Sequence, residues 1–192
     1  LSKIDKIDKP DRIIFDLDPS YPNFNLIRKA ARIFHDFLED IGLGSFVMTT
    51  GSRGVHIVVP IARRYTFDET KSFAQDIGSL FVMQHPEMFT MEIRKEKRGK
   101  CIFIDTLRNA FGQTGVAPYS VRAKKHAPIA TPLFWDEIDS PALRADLYTI
   151  KNIHKRLEKI GDPWESIHKK FYALQKAQQI VAKLLKEKKR SA

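Results

Sequence analysis

Short apolar runs and helically spaced apolar stripes alternate along the chain. Arg12–Asp18 (RIIFDLD) is a β-branched run closed by Pro19 and predicts a strand. Leu26, Ile27, Ala30, Ala31, Phe34, Phe37, Leu38 and Ile41 recur at helical spacing, which predicts a helix over Asn25–Ile41 with Gly42 at its stop. Ser45–Met48 and Val55–Val59 read as two strands joined by TTGSRG. Thr66 and Glu69 have the spacing of a capping box, opening a helix through Phe73, Ile77, Leu80 and Phe81 that ends before Pro86. Cys101–Asp105 (CIFID) predicts another strand. Gly115–Arg122 is expected to be extended, Pro128 and Pro132 interrupt regular structure, and Asp139-Ser140-Pro141 marks a short helix start. Glu165–Lys189 reads as one moderately amphipathic helix carrying Ile167, Phe171, Leu174, Ile180, Leu184 and Leu185. No internal repeat or low-complexity linker interrupts the pattern. The expected fold is α+β, an α/β sandwich with a mixed or antiparallel sheet flanked by helices.

Charge sharpens this picture. The 192 residues carry 33 Lys and Arg against 23 Asp and Glu, a formal net charge of +10. Residues 1–150 hold 21 basic and 19 acidic side chains, and residues 151–192 hold 12 and 4, so the excess sits in the tail. Within the nearly neutral body, Arg94, Lys95, Lys97, Arg98, Lys100, Arg108, Arg122, Lys124 and Lys125 face only Glu96 and Asp105. Such a balance favours polyanionic partners, chiefly nucleic acid or anionic lipid. No apolar run reaches the roughly 18–20 residues of a membrane span. The first residues lack the apolar core of a signal peptide. A single cysteine, Cys101, excludes an intramolecular disulfide and a multi-cysteine zinc site. A cytoplasmic, nucleoid-associated protein is the expectation.

Asp16 and Asp18 are the sharpest candidates for chemistry. Side chains at i and i+2 of a strand share a face about 7 Å apart, so both carboxylates point one way while Phe15 and Leu17 point into a core. Two acids so placed repel each other unless a cation lies between them, and hard oxygen pairs suit Mg²⁺ or Mn²⁺. The plainer alternative is a pair of solvated acids at a strand end. Asp105 closes the strand CIFID, either as a turn residue or, if the strands are neighbours, as the third member of a carboxylate triad able to hold two ions. Thr49–His56 (TTGSRGVH) places two glycines, small hydroxyls and Arg53 between two strands, a composition suited to anions but distinct from a Walker P-loop. His56 is either structural or a donor to a phosphate oxygen. The other five histidines show no metal-ligand spacing. Arg108–Arg122 is a polar, glycine-containing segment, either a solvated hairpin or a binding loop.

The blocks PDRIIFDLDPS, TTGSRGVHIVVP and IFIDTLRNAFGQTGVAPYSVRAKKHAPIATPLFWDEI, in this order, closely resemble the polymerase domain of bacterial ATP-dependent DNA ligase D, within the archaeo-eukaryotic primase superfamily. The resemblance runs from about Lys9 to Trp164. It implies a primase-like catalytic core over residues 1–164, followed by a basic C-terminal helix over 165–192. It implies a nucleotidyltransferase that adds NTP or dNTP to a DNA primer 3′-hydroxyl in non-homologous end joining. Asp16, Asp18 and Asp105 map onto the family's catalytic acids and ligands for two Mn²⁺ or Mg²⁺ ions. Thr50, Gly51, Arg53, His56, Gln113 and Arg122 map onto its nucleotide-binding positions; the family more often has serine at Thr50. DNA with 5′-phosphorylated ends or gaps is the implied partner, with Ku and a ligase domain beside it. Arg94, Lys95, Lys97, Arg98, Arg108, Lys124 and Lys125 are the expected nucleic-acid contacts. Family domains carry about a hundred further residues before the first strand, against the usual domain size. That part recognises the 5′-phosphate and stacks on the base, so the expectation is a chain lacking the family's N-terminal part.

Two other readings fit portions of the sequence. FDLDPS followed by a helix and a strand ending in Thr49-Thr50 resembles the opening of a haloacid-dehalogenase-like phosphatase, with Asp16 as nucleophile and Asp18 as acid–base; the acidic pair that family needs downstream is not found. A non-catalytic DNA- or nucleotide-binding remnant needs only the basic surface.

Overall fold

The computed structural model describes residues 1–191. A short hairpin, β1 (Ser2–Lys3) and β2 (Lys6–Pro10), leads into β3 (Arg12–Pro19), α1 (Phe24–Asp40), β4 (Phe46–Thr49), β5 (Val55–Pro60), α2 (Phe67–Gln84), β6 (Phe89–Thr90), β7 (Ile102–Asp105) and β8 (Thr131–Leu133). Two further helices follow, α3 (Ile153–Ile160) and α4 (Gln175–Ser191). Six strands form one mixed sheet in the order β6-β7-β3-β5-β4-β8, antiparallel throughout except for β6 beside β7. The fold is therefore α+β, with β3 and β5 at the centre of the sheet.

The period of two along β3 separates the two faces of the sheet. Ile13, Phe15 and Leu17 are fully buried on the face covered by α1 and α2. There Phe34 stacks on Phe81 with ring centroids 3.9 Å apart. The opposite face carries Arg12, Ile14, Asp16 and Asp18, and its apolar part is closed by Met48, Val58, Ala130, Trp164 and Ile167. α1 begins where Asn23 caps Leu26 N–H, and α2 begins with the full reciprocal capping box of Thr66 and Glu69.

Three expected elements differ. Gly115–Arg122 forms no strand; it is an irregular loop with one isolated bridge, Val121 to Ile129. Asp139-Ser140-Pro141 closes a 3-10 turn over Trp135–Asp139 and opens no helix. The single helix expected over Glu165–Lys189 breaks into a 3-10 turn at Ile167–Lys169, a bridge from Tyr172 to Ile61, and α4. Tertiary anchors override the helical pattern: Trp164 Nε1 donates to Val47 O at 3.0 Å, and Ala62 N–H donates to Tyr172 O at 2.9 Å. Tyr172 lies so close over Gly44 that a Cβ there would clash with its phenol. The chain thus passes from the Trp164 face around the sheet end, and Leu174, Ala177 and Val181 join the core on the α1–α2 face.

Candidate active site

Strand register brings the three sequence-predicted acids together. Asp16 lies directly opposite Asp105 across β3–β7, and directly opposite His56 across β3–β5. Asp18 follows two residues on, on the same face, opposite Phe103. These residues floor a cavity of about 600 Å³, walled by Thr50, Ser52, Arg53 and Gly54 from the β4–β5 loop. Lys95, Arg98, Arg108 and Arg122 complete the wall, with Thr114, Gly115 and Val116.

Each carboxylate faces a basic side chain. Asp16 Oδ2 is 3.3 Å from His56 Nε2. Arg53 Nη2 donates to both oxygens of Asp18, at 3.1 and 2.9 Å, and Arg98 Nη1 stands 3.8 Å away. Asp105 Oδ2 is 3.7 Å from Arg108 Nε, and its Oδ1 accepts from Leu107 N–H at 2.8 Å. Burial pushes the Asp18 pKa up from its ordinary value; Asp16 adds to the rise, and Arg53 and Arg98 oppose it.

The wall is fixed by local packing. Arg98 is buried with its guanidinium 3.7 Å over the Phe103 ring, donating to the carbonyls of Glu92 and Ile93 at 2.7 Å each. It is a buried cation of the cavity wall, not a residue of the outer surface. Arg122 Nη1 donates to Thr50 O at 2.9 Å, so this arginine lies across the β4–β5 loop. Gly51 makes that possible: its φ of +63° is left-handed, and a Cβ there would sit 2.8 Å from Arg122 Cγ. Gly54 presses on β3, where a Cβ would stand 2.0 Å from Leu17 O.

The remaining candidates fall elsewhere. Gly51 and Gln113 lie outside the cavity wall, Gln113 beside Thr114, which is part of it. Arg94, Lys97, Lys124 and Lys125 are exposed beyond the wall, and Lys124 bonds the Ser52 hydroxyl. Sequence reasoning did not single out Ser52, Phe103, Thr114, Gly115 or Val116. Phe103 was within its reach, since it sits two residues before Asp105 and must share its face.

The donor set fits a hard divalent cation. Three carboxylates share one face, with Asp16 directly opposite Asp105, a like-charge pair that a cation between them would relieve. His56 Nε2 faces the floor toward Asp16, while its Nδ1 is buried away from the cavity and has no partner among the described residues. Among the described residues no three Asp, Glu, His or Cys side chains already surround one ion position, because each aspartate is turned toward its own basic neighbour. Nor is any helix among the described residues long and apolar enough to cross a membrane.

Residues 1–164 match the family described as LigD, primase-polymerase domain. Over 162 residues the chain is 36% identical to the multifunctional non-homologous end joining protein LigD of Pseudomonas aeruginosa, covering 82% of this chain and 19% of that protein. It is 32% identical over 158 residues to the bifunctional non-homologous end joining protein LigD of Bacillus subtilis, covering 81% and 26%. The chain thus spans about a fifth to a quarter of the length of these relatives. Among solved structures it resembles the polymerase domain from Mycobacterium tuberculosis ligase D in complex with DNA. That match has a TM-score of 0.79 and 30% identity, over 85% of this chain and 57% of that one. The order of the three sequence blocks, the sheet and these matches agree: the chain belongs to the LigD primase–polymerase domain family.

Proposed function

We propose that this chain is the metal-dependent nucleotidyltransferase core of an end-joining polymerase, adding NTP or dNTP to the 3′-hydroxyl of a DNA strand. The observation that carries the reading is the register of β3 with β5 and β7, which sets Asp16, Asp18, Asp105 and His56 on one cavity floor beside the β4–β5 loop. Asp16, Asp18 and Asp105 would hold two Mn²⁺ or Mg²⁺ ions. The chemistry such ions supply when bound is activation of a hydroxyl nucleophile and stabilisation of a pyrophosphate leaving group.

The protein itself positions and neutralises, since phosphoryl transfer asks for little covalent work. Arg122 and Arg53 offer guanidinium forks to the triphosphate, and Thr50 and Ser52 offer hydroxyls beside them. His56 faces the same floor and orients against Asp16. Arg98, packed on Phe103 and bonded to two carbonyls, holds positive potential beside the floor. Lys95 and Arg108 at the cavity wall, with Arg94, Lys97, Lys124 and Lys125 beyond it, favour a DNA backbone with little sequence preference. Support for DNA as the partner comes from the M. tuberculosis relative, whose structure is a complex with DNA. Ku and a ligase domain are the expected companions in end joining, by family membership alone.

Extension of a labelled, 5′-phosphorylated gapped DNA with Mn²⁺ and ATP or dATP, beside Asp16→Ala, tests the reading. Extension by the wild type that drops at least about a hundredfold in the variant supports it. A chain that shows neither extension nor Mn²⁺-dependent nucleotide binding refutes it and leaves a DNA-binding remnant.

A further inference from the structure

Asn109 lies outside the cavity and among the most buried polar residues of the protein, at 1% exposure. Its surroundings explain why the third carboxylate stands where it does. The β3–β7 ladder ends at the rung Asp16–Asp105. Continued by two residues, the antiparallel register would set residue 107 opposite Ile14. The chain leaves the sheet first, because Thr106 turns to φ −104° and ψ −1° and a 3-10 turn follows over Leu107–Asn109. The backbone of Ile14, which points to the same side as that of Asp16, would then be left without a partner.

The Asn109 side chain takes the missing rung. Its Oδ1 accepts from Ile14 N–H at 2.8 Å, and its Nδ2 donates to Ile14 O at 2.8 Å. A primary amide presents one acceptor and one donor in the same plane, as a peptide group does, so it substitutes for a strand residue. The second Nδ2 proton goes to Thr106 O at 3.0 Å, which closes the turn that begins at Asp105. Asp105 in turn accepts from Leu107 N–H inside that turn. One side chain therefore ties the turn behind Asp105 to the strand that carries Asp16 and Asp18. Aspartate would lose the donors, leucine would lose everything, and glutamine would be one methylene too long.

We propose that Asn109 is a positioning residue: it sets the Asp105 carboxylate against Asp16 and Asp18 by extending the β3–β7 ladder through its side chain. The inference rests on the reading of the three aspartates as a divalent-cation site. Asn109 lies outside the cavity and acts through the turn that carries Asp105.

Mn²⁺ titration of the full chain, followed by electron paramagnetic resonance of the free ion, tests it on wild type, Asn109→Ala, Asp105→Ala and the double variant. Circular dichroism and thermal melting accompany each protein. The expected result is a loss of Mn²⁺ affinity of about tenfold in Asn109→Ala, as for other outer-shell partners of metal ligands. In the Asp105→Ala background the same substitution should cost less than about twofold, because its route of action is already gone. A purely structural residue would weaken binding equally in both backgrounds, and that outcome overturns the inference. So does unchanged affinity in a folded Asn109→Ala. If the alanine variant does not fold, Asn109→Ser, which keeps a small polar side chain in that buried position, takes its place in the same cycle, and the same two results support or overturn the inference. A wild-type protein that binds no Mn²⁺ overturns the cation-site reading and this inference with it, whereas wild-type binding matched by Asn109→Ala overturns the inference alone.

Discussion

Arg53 holds both oxygens of Asp18, yet half of its side chain is exposed on the β4–β5 loop. Arg53 uses only Nη2 on Asp18, but a cation at Asp18 would repel that guanidinium and compete with it for the same two oxygens. Cation binding at Asp18 and release of Arg53 toward phosphate are therefore one exchange, and the two ligands should favour each other reciprocally. Arg53→Gln should tighten Mn²⁺ binding in the absence of nucleotide by up to about fivefold, the upper worth of a partly exposed ion pair. The same variant should weaken Mn²⁺–ATP binding, and calorimetric titrations with Mn²⁺ alone and with Mn²⁺–ATP read both signs. Asp18 also carries a pH signature. Burial, helped by Asp16, holds its pKa above 3.8, so the folded chain retains this proton at a pH where the unfolded chain has lost it. Stability is thereby lost as pH rises from 3.8 through the raised folded value. Asp18→Asn mimics the protonated form, so metal-free Asp18→Asn should unfold at equal urea to the wild type at low pH and at higher urea above that window. Urea melts across pH check it, and an advantage that shrinks as pH rises would refute it.

At the scale of elements, the period-two pattern of RIIFDLD and CIFID was enough to place Asp16, Asp18 and Asp105 on one face each, and the capping box at Thr66–Glu69 was legible as written. What local pattern does not carry is which strands are neighbours. The pairing of β3 with β7 stood in the sequence only as a condition for the triad and that of β3 with β5 was not expected at all; the structure supplies both, with their register. Arg98 looked like a surface cation because its neighbours are charged; only the fold shows Phe103 beneath it. Asn109 carried only the signal of a turn residue, with Thr106 three residues away; its other partner, Ile14, lies 95 residues away. The helix expected over Glu165–Lys189 failed for the same reason: Trp164 and Tyr172 find partners on β4 and at the end of β5. Trp164→Ala should cost about 3–5 kcal/mol in urea unfolding, as for other buried tryptophans. Phe171→Ala, at a side chain 58% exposed, should cost about 0.5 kcal/mol or less.

Over the whole molecule, charge and chemistry occupy different sides. The cavity opens on one face of the sheet, while α4, with Lys183, Lys186, Lys188, Lys189 and Arg190, packs through Ala177 and Val181 on the other. The basic helix α4 is thus set apart from the cavity wall, and the local cations from Lys95 to Arg122 are the ones beside the proposed chemistry. The path between the two sides has a mechanical meaning. Trp164 and Ile167 are fastened to the cavity face, Tyr172 crosses the sheet end, and Leu174 and Val181 are fastened to the helical face. This stretch is therefore a strap fastened at both ends, and a nick near Phe171 would part the anchor at Trp164 and Ile167 from the anchor at Leu174 and Val181.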